Sequence, residues 1–273
     1  MTDRSTVTAT TVLVAGLVLL AVFAPTLASA RAANQIPVAS MPEQGDALGD
    51  PAADAWGDVE PAAVPLSSAP SGLPEASDTS TEAVEVRAAH TDSRLYIHMT
   101  WDDATANEEI TGPRSFLDAA AVQLPANTST HPGIALGSER APVNVWYWYA
   151  GNGTQEILAG GPGSTTALDQ SVVTTNAHRT DGGWEVVFVR DLQVDGENRT
   201  QFTMDRDVDV AFAVWNGSNM ERSGRHAVSE WHHFPLGPDE QPPFQTILWV
   251  VAGIAVAVVL VVTVRAVRNT GSR

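Results

Sequence analysis

Two histidines in loops are the residues of this chain best placed to bind a ligand. His226 directly precedes the short apolar run Ala227–Trp231, so it lies where a loop enters a strand, and His131 lies in the loop before the apolar run Val143–Tyr149. A neutral imidazole binds transition metals through one ring nitrogen, and loops on a rigid scaffold are common positions for ligands. A simpler interpretation is open for each: a half-exposed surface histidine for His226 and a solvent-facing loop residue for His131.

The residues that several other kinds of site need are missing from the sequence. Cysteine is absent, which excludes disulfides, iron–sulfur clusters, thiolate zinc sites and covalently attached c-type haem. His232 and His233 are adjacent, but no third histidine or carboxylate stands at a spacing typical of a metal site with them. No Ser/His/Asp set is evident either, so the sequence offers no candidate for nucleophilic catalysis.

Short apolar runs separated by turn residues predict the elements that carry these histidines. In Val208–Trp215, valine and phenylalanine alternate with alanine and tryptophan, as in a strand covered on both faces. About 190 residues of such runs, with no long segment of helical period between them, predict a single β-sandwich over residues 44–241. The predicted strands are Val84–Ala88, Leu95–Trp101, Ala119–Leu124, Val143–Tyr149, Ser171–Asn176, Trp184–Val189, Val208–Trp215 and Ala227–Trp231.

Six segments, in order along the chain, carry a resemblance to a known family. They are Asp54–Trp56, Val84–Asp103, Phe116–Pro125, Ala141–Trp148, Gly183–Leu192 and Val210–Trp231. Together they resemble the haem-b-binding gamma subunits of ethylbenzene dehydrogenase and dimethylsulfide dehydrogenase, in which a strand AFAVWDG is followed by a KAVS segment. The resemblance implies an all-β fold, an immunoglobulin-like or DOMON-like antiparallel β-sandwich, that holds haem b non-covalently.

The resembling family also implies which residues bind the iron. Its axial ligands are a lysine of the KAVS segment and a methionine of the loop before PVNIWYW, and in this chain His226 and Leu136 take those two positions. The resemblance therefore implies that His226 keeps a nitrogen donor on the iron, whereas leucine has no donor. His131, in the same loop as Leu136, is our candidate for the second ligand, and a five-coordinate iron is the alternative.

Aromatic and basic residues are candidates for the rest of the haem pocket. Trp146 and Trp148 alternate with two tyrosines, so one of these pairs faces the interior of the sandwich. The tryptophans either form a wall of the pocket or pack in the core. Arg225 is a candidate partner for the haem propionates, although an arginine on an acidic surface more often pairs with a nearby carboxylate.

Apolar segments near both ends predict how the chain is placed in the cell. Residues 1–30 carry an apolar core and end in Ala-Ser-Ala, which is typical of a cleaved export signal, with an uncleaved anchor as the alternative, and residues 31–43 follow as a linker. Residues 244–264 are uncharged and long enough, at about 31 Å as a helix, to cross a membrane. The basic tail 265–273 predicts a cytoplasmic C-terminus, with the β-sandwich on the extracytoplasmic side of the cell membrane.

Charge narrows the setting and the partners. Residues 31–245 contain 31 acidic and 11 basic residues, and all 15 basic residues of the chain are arginine. This excess of acid argues against nucleic acid as a partner. An acidic, lysine-free exported domain is typical of an extreme halophile, in which dense carboxylates keep proteins soluble in brine.

Electron transfer is the function that the resemblance implies. The chain is expected to be a membrane-anchored b-type cytochrome subunit that passes single electrons between the respiratory chain and the iron–sulfur subunit of a complex. The catalytic subunit of that complex would carry molybdopterin, with nitrate reduction as the expected reaction. The alternative is a haem-free anchored β-sandwich that binds carbohydrate or a surface partner through Trp146, Trp148 and Trp231, and haem binding distinguishes the two.

Overall fold

The structure is a computed structural model that describes residues 34–151 and 153–237, together with Trp249, Gly253 and Ile254. The predicted leader 1–30, the tail 265–273 and nearly all of the predicted span 244–264 lie outside these residues. In the described part of the chain, no helix is both long and apolar enough to cross a membrane. Residues Gln35–Pro238 form one compact unit, which contains every element discussed below.

Within that unit the described residues form two β-sheets. Sheet I has the strand order β1-β4-β5-β11-β10, with β2 also paired to β4, and sheet II has the order β3-β13-β12-β6-β7-β8-β9, with β14 also paired to β12. All of these pairs are antiparallel except β1 with β4, so the predicted all-β antiparallel sandwich is confirmed. The strands are β1 Val38–Ser40, β2 Ala62–Pro65, β3 Ser67–Ser68, β4 Ala83–His90, β5 Arg94–Asp102, β6 Ala119–Pro125, β7 Val143–Tyr149, β8 Gly153–Ala159, β9 Thr165–Ala167, β10 Thr174–Arg179, β11 Gly183–Asp191, β12 Val208–Trp215, β13 Ala227–Val228 and β14 His232–Phe234. Short helices occur at α1 Gly45–Leu48 and, as 3-10 turns, at Asp54–Asp58 and Gly217–Asn219.

Strand β12 shows how the apolar sequence builds the sandwich. Val210, Phe212 and Val214 point into the core between the sheets, where all three are fully buried. Successive side chains of a strand point to opposite faces, so Ala213 and Trp215 lie on the outer face of sheet II. Because β12 pairs with β6 on one side and with β13 and β14 on the other, it is an internal strand of sheet II. Its apolar outer face must be shielded from water by other side chains.

The N-terminal boundary of the sandwich differs from the sequence-based expectation. Strand β1 falls within residues 31–43, the segment predicted to be a linker, and pairs in parallel with β4. Ile36, just before it, is fully buried in the core. The sandwich therefore begins near Gln35, which also bridges to His233 of β14.

A second apolar cluster covers the outer face of sheet I and contains a histidine without hydrogen bonds. His98 of β5 is 4% exposed and stacks on Trp56, with ring centroids 4.8 Å apart and an interplanar angle of 21°. Neither ring nitrogen of His98 has a hydrogen-bond partner among the described residues. Burial, with a smaller contribution from the charge of Arg87, lowers the pKa of His98 to about 4. The imidazole is therefore neutral in the folded protein at neutral pH.

This histidine makes the folded protein sensitive to acid. The pKa is about 6.5 in an unfolded chain and about 4 in the folded one, so the unfolded state binds more protons, and stability is lost as the pH falls below about 6.5. Between about pH 8 and pH 5, we expect the free energy of unfolding of full-length His98→Phe to fall by about 2 kcal/mol less than that of the wild type. Denaturant unfolding at constant salt measures this difference. The exposed His178 is the matched control, and equal losses for His98→Phe and His178→Phe would contradict the assignment.

Candidate functional site

An apolar cluster on the outer face of sheet II, here called the outer cluster, is the surface against which His226 and Leu136 lie. Its central floor consists of small side chains, because Ala213 of β12 lies directly opposite Ala121 of β6, which in turn lies opposite Tyr147 of β7. The buried members are Ala121, Val143, Val145, Ala159 and Ala213, and the partly buried members are Leu136, Tyr147, Ile157, Trp215, Val228 and Trp231. A flat floor with aromatic walls suits a planar apolar group.

His226 lies against this cluster in a fixed orientation. Its ring stacks on Trp215, with centroids 4.4 Å apart and an interplanar angle of 24°. Nδ1 is 2.9 Å from the carbonyl oxygen of Ser223 and donates its proton to it. In the neutral imidazole the lone pair is therefore on Nε2, which has no hydrogen-bond partner within the described residues. A histidine held in this way by a backbone carbonyl is prepared to bind a metal through Nε2.

Burial also keeps His226 neutral. It lowers the pKa of His226 to about 4, and the hydrogen bond with Ser223 opposes this only in part. An imidazole that is neutral at physiological pH offers its lone pair without having to lose a proton first. The geometry and the protonation state of His226 thus both favour a metal ligand over a merely solvated surface residue.

The turn before His226 is held by buried carboxylates. The Asp118 carboxylate, fully buried, accepts hydrogen bonds from the backbone N–H of Gly217 at 2.9 Å and of Asn107 at 2.8 Å. Glu221, also buried, accepts from the backbone N–H of Asn216 at 3.1 Å and of Ser80 at 2.8 Å. These bonds tie the turn to two other loops, which fixes the position of His226 relative to the sheet.

Two residues of this turn adopt a backbone conformation that side chains disfavour. Met220 and Ser223 have φ angles of +54° and +50°. Such conformations cost on the order of 1 kcal/mol or more each and persist where the surrounding contacts over-determine them. At Ser223 the constrained residue is the one whose carbonyl oxygen orients His226.

Leu136, in the position that the family resemblance assigns to a methionine, packs against the outer cluster. Its loop is fastened to the sheet, because the side-chain amide of Gln123 donates to the carbonyl of Ile134 at 3.1 Å. At the following residue, Gly137, φ is +68° and an added Cβ would lie 2.5 Å from the carbonyl oxygen of Ala141, so only glycine fits. The structure therefore brings Leu136 and His226 to the same surface, as the resemblance implies for the two axial positions.

His131 lies elsewhere. Its side chain is 91% exposed, and Nδ1 is 3.2 Å from a carboxylate oxygen of Asp209. Asp209 is at the start of β12 and Trp215 is at its end, about 20 Å apart at about 3.3 Å per residue. The structure thus does not bring His131 and His226 together, and the described members of the outer cluster include no second strong iron donor.

The two tryptophans proposed for the pocket wall occupy the opposite face of sheet II. Trp146 and Trp148 are 0% and 1% exposed and belong to the core between the sheets. The indole of Trp146 donates to Asn144 at 3.0 Å, and Trp148 makes an edge contact with Trp184 at 5.0 Å. Of the two interpretations, the geometry supports core packing, and the same burial removes these residues from any carbohydrate-stacking platform.

Tyrosine takes the place expected for these tryptophans. Because strand residues alternate, Tyr147 lies on the face of His226 and meets Trp215 edge to face, with ring centroids 5.4 Å apart at 89°. Burial raises the pKa of Tyr147 to about 12, so its hydroxyl stays protonated. The alternation along β7 thus puts Tyr147 on the outer face of sheet II and the tryptophans in the core, which is one of the two interpretations that the sequence left open for them.

Arg225 is engaged with carboxylates of its own chain. The side chain is 10% exposed and contacts Asp78 at 2.8 Å and Glu75 at 3.4 Å. The alternative noted for an arginine on an acidic surface, pairing with a local carboxylate, is therefore the observed one. A cavity of about 640 Å³ lies beside it, lined also by Arg114 and Arg222, two basic residues that sequence reasoning did not single out.

The residues at the outer cluster fit a porphyrin. Such a group needs apolar surroundings, at least one axial donor and polar partners for its propionates. The cluster supplies the apolar surroundings, and His226 supplies the axial donor. Trp231 offers a donor for the propionates, because its buried indole nitrogen has no hydrogen-bond partner in the described part of the chain. In the described residues, no three His, Asp or Glu side chains gather as a protein-only metal site would require.

Comparisons with known proteins relate the chain to one family and to several named proteins. The sequence matches the ethylbenzene dehydrogenase family over residues 53–168 and 161–227. It is 53% identical over 261 residues to a protein of Haloferax mediterranei named as the respiratory nitrate reductase heme subunit ORF7, covering 95% of this chain and 94% of that one. It is 34% identical to the chlorate reductase subunit gamma of Ideonella dechloratans, covering 68% and 79% of the two chains. It is 33% identical to the dimethylsulfide dehydrogenase subunit gamma of Rhodovulum sulfidophilum, covering 58% and 62%.

Among solved structures, the fold is similar to a carbohydrate-binding protein of Bacteroides uniformis. The TM-score is 0.45 at 12% identity, with 76% of this chain and 92% of the other covered. A likeness at this level says nothing about a shared ligand.

Proposed function

We propose that this chain, which belongs to the ethylbenzene dehydrogenase family, is the haem-binding subunit of a respiratory oxidoreductase complex and transfers electrons without catalysing a substrate reaction itself. The observation that carries the proposal is the state of His226, a neutral, oriented imidazole whose Nε2 is free beside an apolar surface. The relatives named as heme or gamma subunits support the same role. Haem b, held non-covalently because the chain has no cysteine, would supply a one-electron carrier.

Residues at and beside the outer cluster would hold this group. His226 would bind the iron, with Trp215 stacked on its ring and Tyr147 beside Trp215. Ala121 and Ala213 would form the floor, and the Leu136 loop would cover the cluster. Together these side chains exclude water, which stabilises haem binding and influences its potential.

The partners follow from the family and from the relatives. We propose that the chain passes electrons between the respiratory chain and an iron–sulfur subunit, next to a catalytic subunit that carries molybdopterin. Nitrate is the proposed substrate of that complex, because the relative that covers 95% of the chain is named after nitrate reductase. The segment 244–264 would anchor the chain in the cell membrane, with the sandwich outside and the tail 265–273 inside.

Titration with haem tests the proposal. We expect the full-length protein, in the high salt that suits its acidic surface, to bind one equivalent of haem with a sharp Soret band and to be reversibly reduced and reoxidised. Titrations of buffer alone and of a denatured sample measure the non-specific association of haem. A protein that remains colourless at saturating haem contradicts the proposed function.

Substitution of the exposed His131 tests whether this residue is the second ligand of the iron. Because His131 is 91% exposed and paired with Asp209, we expect His131→Ala to leave the haem spectrum and affinity within about twofold of the wild type. Absorbance and electron paramagnetic resonance spectra of the two proteins check this. A six-coordinate, low-spin spectrum that is lost in His131→Ala would show that the loop rearranges to supply His131 as the second ligand.

A further inference from the structure

The carbonyl oxygen of Ser223 accepts two hydrogen bonds at the outer cluster. One comes from Nδ1 of His226 at 2.9 Å and the other from the indole nitrogen of Trp215 at 3.2 Å. The two rings also stack on each other at 4.4 Å, so the donors approach the same oxygen side by side. Ser223 holds this oxygen in place through its constrained backbone, with φ at +50°.

A shared acceptor weakens each of its hydrogen bonds. The stronger the hydrogen bond that a metal-bound imidazole donates from Nδ1, the more electron density the ring gives to the metal. Greater donation favours the oxidised, more positively charged iron and lowers the reduction potential. A second donor on the same carbonyl weakens the hydrogen bond from Nδ1 and therefore raises the reduction potential.

We propose that Trp215 is a positioning residue that raises the reduction potential of the haem by competing with His226 for the Ser223 carbonyl. The inference rests on the proposed function and deepens it, because it names the residue that adjusts electron transfer through His226. Trp215 would act without touching the iron, through the ring of His226 that would bind it.

The surroundings of Trp215 keep its indole in the position that this role needs. Tyr147 meets it edge to face at 5.4 Å and 89°, which restricts rotation of the indole. The His226 ring lies nearly parallel to the indole, at an interplanar angle of 24°. Packing alone requires neither the indole N–H nor an acceptor for it. The hydrogen bond from Trp215 to Ser223 therefore distinguishes the proposed role from packing.

Removing the N–H while keeping an aromatic ring tests the proposal. We expect haem-loaded, full-length Trp215→Phe to keep the coordination spectrum of the wild type while its midpoint potential shifts to a more negative value in a spectroelectrochemical titration. Trp215→Leu, which lacks both ring and donor, should shift in the same direction. If the reduced protein is five-coordinate, the iron–histidine stretching band should also move to higher frequency in both variants.

Sheet I offers a matched control. Trp56 also stacks on a histidine, His98, and also donates its indole N–H to a backbone carbonyl, that of Asp50 at 3.1 Å. Trp56→Phe makes the same chemical change on the opposite side of the sandwich and should leave the potential unchanged. An equal shift in Trp56→Phe and Trp215→Phe would overturn the proposal, because it would reflect general loosening.

The remaining outcomes are also decisive. An unchanged or more positive potential in Trp215→Phe overturns the competition for Ser223. Loss of haem from Trp215→Phe overturns it as well, because the indole would then be needed for binding rather than for adjusting the potential. Failure of the wild type to bind haem is a different result, which contradicts the proposed function itself.

Discussion

Replacing His226 with alanine is expected to weaken haem binding by about 100-fold or more and to remove the spectrum of nitrogen ligation from whatever haem remains bound. His226 stacks on Trp215 of the outer cluster, whose members are apolar or aromatic, so its loss removes the proposed nitrogen donor and leaves the apolar contacts. Haem titration followed by Soret absorbance gives the affinity, and the visible bands report the ligand. Added imidazole should restore the spectrum in part, because it can occupy the space beside Trp215 that the ring of His226 fills in the wild type.

The control for this variant is a histidine of the same chain on the other sheet. His178 is exposed on β10, and His178→Ala should bind haem as the wild type does. Denaturant unfolding of both variants without haem shows whether they are folded, since loss of the Trp215 stack alone is expected to cost only about 1 kcal/mol. Equal haem affinity in wild type and His226→Ala would exclude His226 as the ligand.

Replacing Leu136 with methionine is expected to convert the bound haem to a six-coordinate, low-spin form with a higher midpoint potential. Leu136 already packs against the cluster that His226 adjoins, and a thioether at this position offers the iron a soft donor that favours the reduced state. Leucine and methionine have similar volumes, so the exchange should cost less than about 1.5 kcal/mol. Sharpened α and β bands after reduction and a positive shift in a redox titration are the measurements.

A second methionine variant controls for sulfur in the wrong place. Ile157 belongs to the same cluster but lies on strand β8 rather than on the covering loop. Ile157→Met should therefore change neither the spin state nor the potential. Identical spectra for Leu136→Met and the wild type would show that the loop does not reach the iron, and the second axial position would then have to be sought elsewhere.

Much of the fold follows from local patterns in the sequence. Strands β4 to β7, β11 and β12 are short apolar runs bounded by turn residues, and their predicted positions agree with the structure within a few residues. The hairpin β8 and β9 was not predicted, because Gly153–Ala159 mixes polar and apolar residues near the edge of a sheet, where burial is incomplete. Strand β1 was assigned to a linker, since three residues carry too little pattern to be recognised.

For the site, the sequence by itself determined which ligand and which donor residue to propose. The order of the family segments, the absence of cysteine and the imidazole at His226 were sufficient to propose a non-covalent haem and a nitrogen donor, because residue type and order along the chain do not depend on folding.

Only the tertiary structure decided which other residues belong to the site. His131 and Leu136 are five positions apart in one loop, yet one faces Asp209 and solvent and the other faces the outer cluster. Trp146 and Tyr147 are neighbours, yet they lie on opposite faces of sheet II. Sequence shows that residues alternate along a strand, but which face meets the core depends on strand register and sheet packing, which are set by contacts between distant segments.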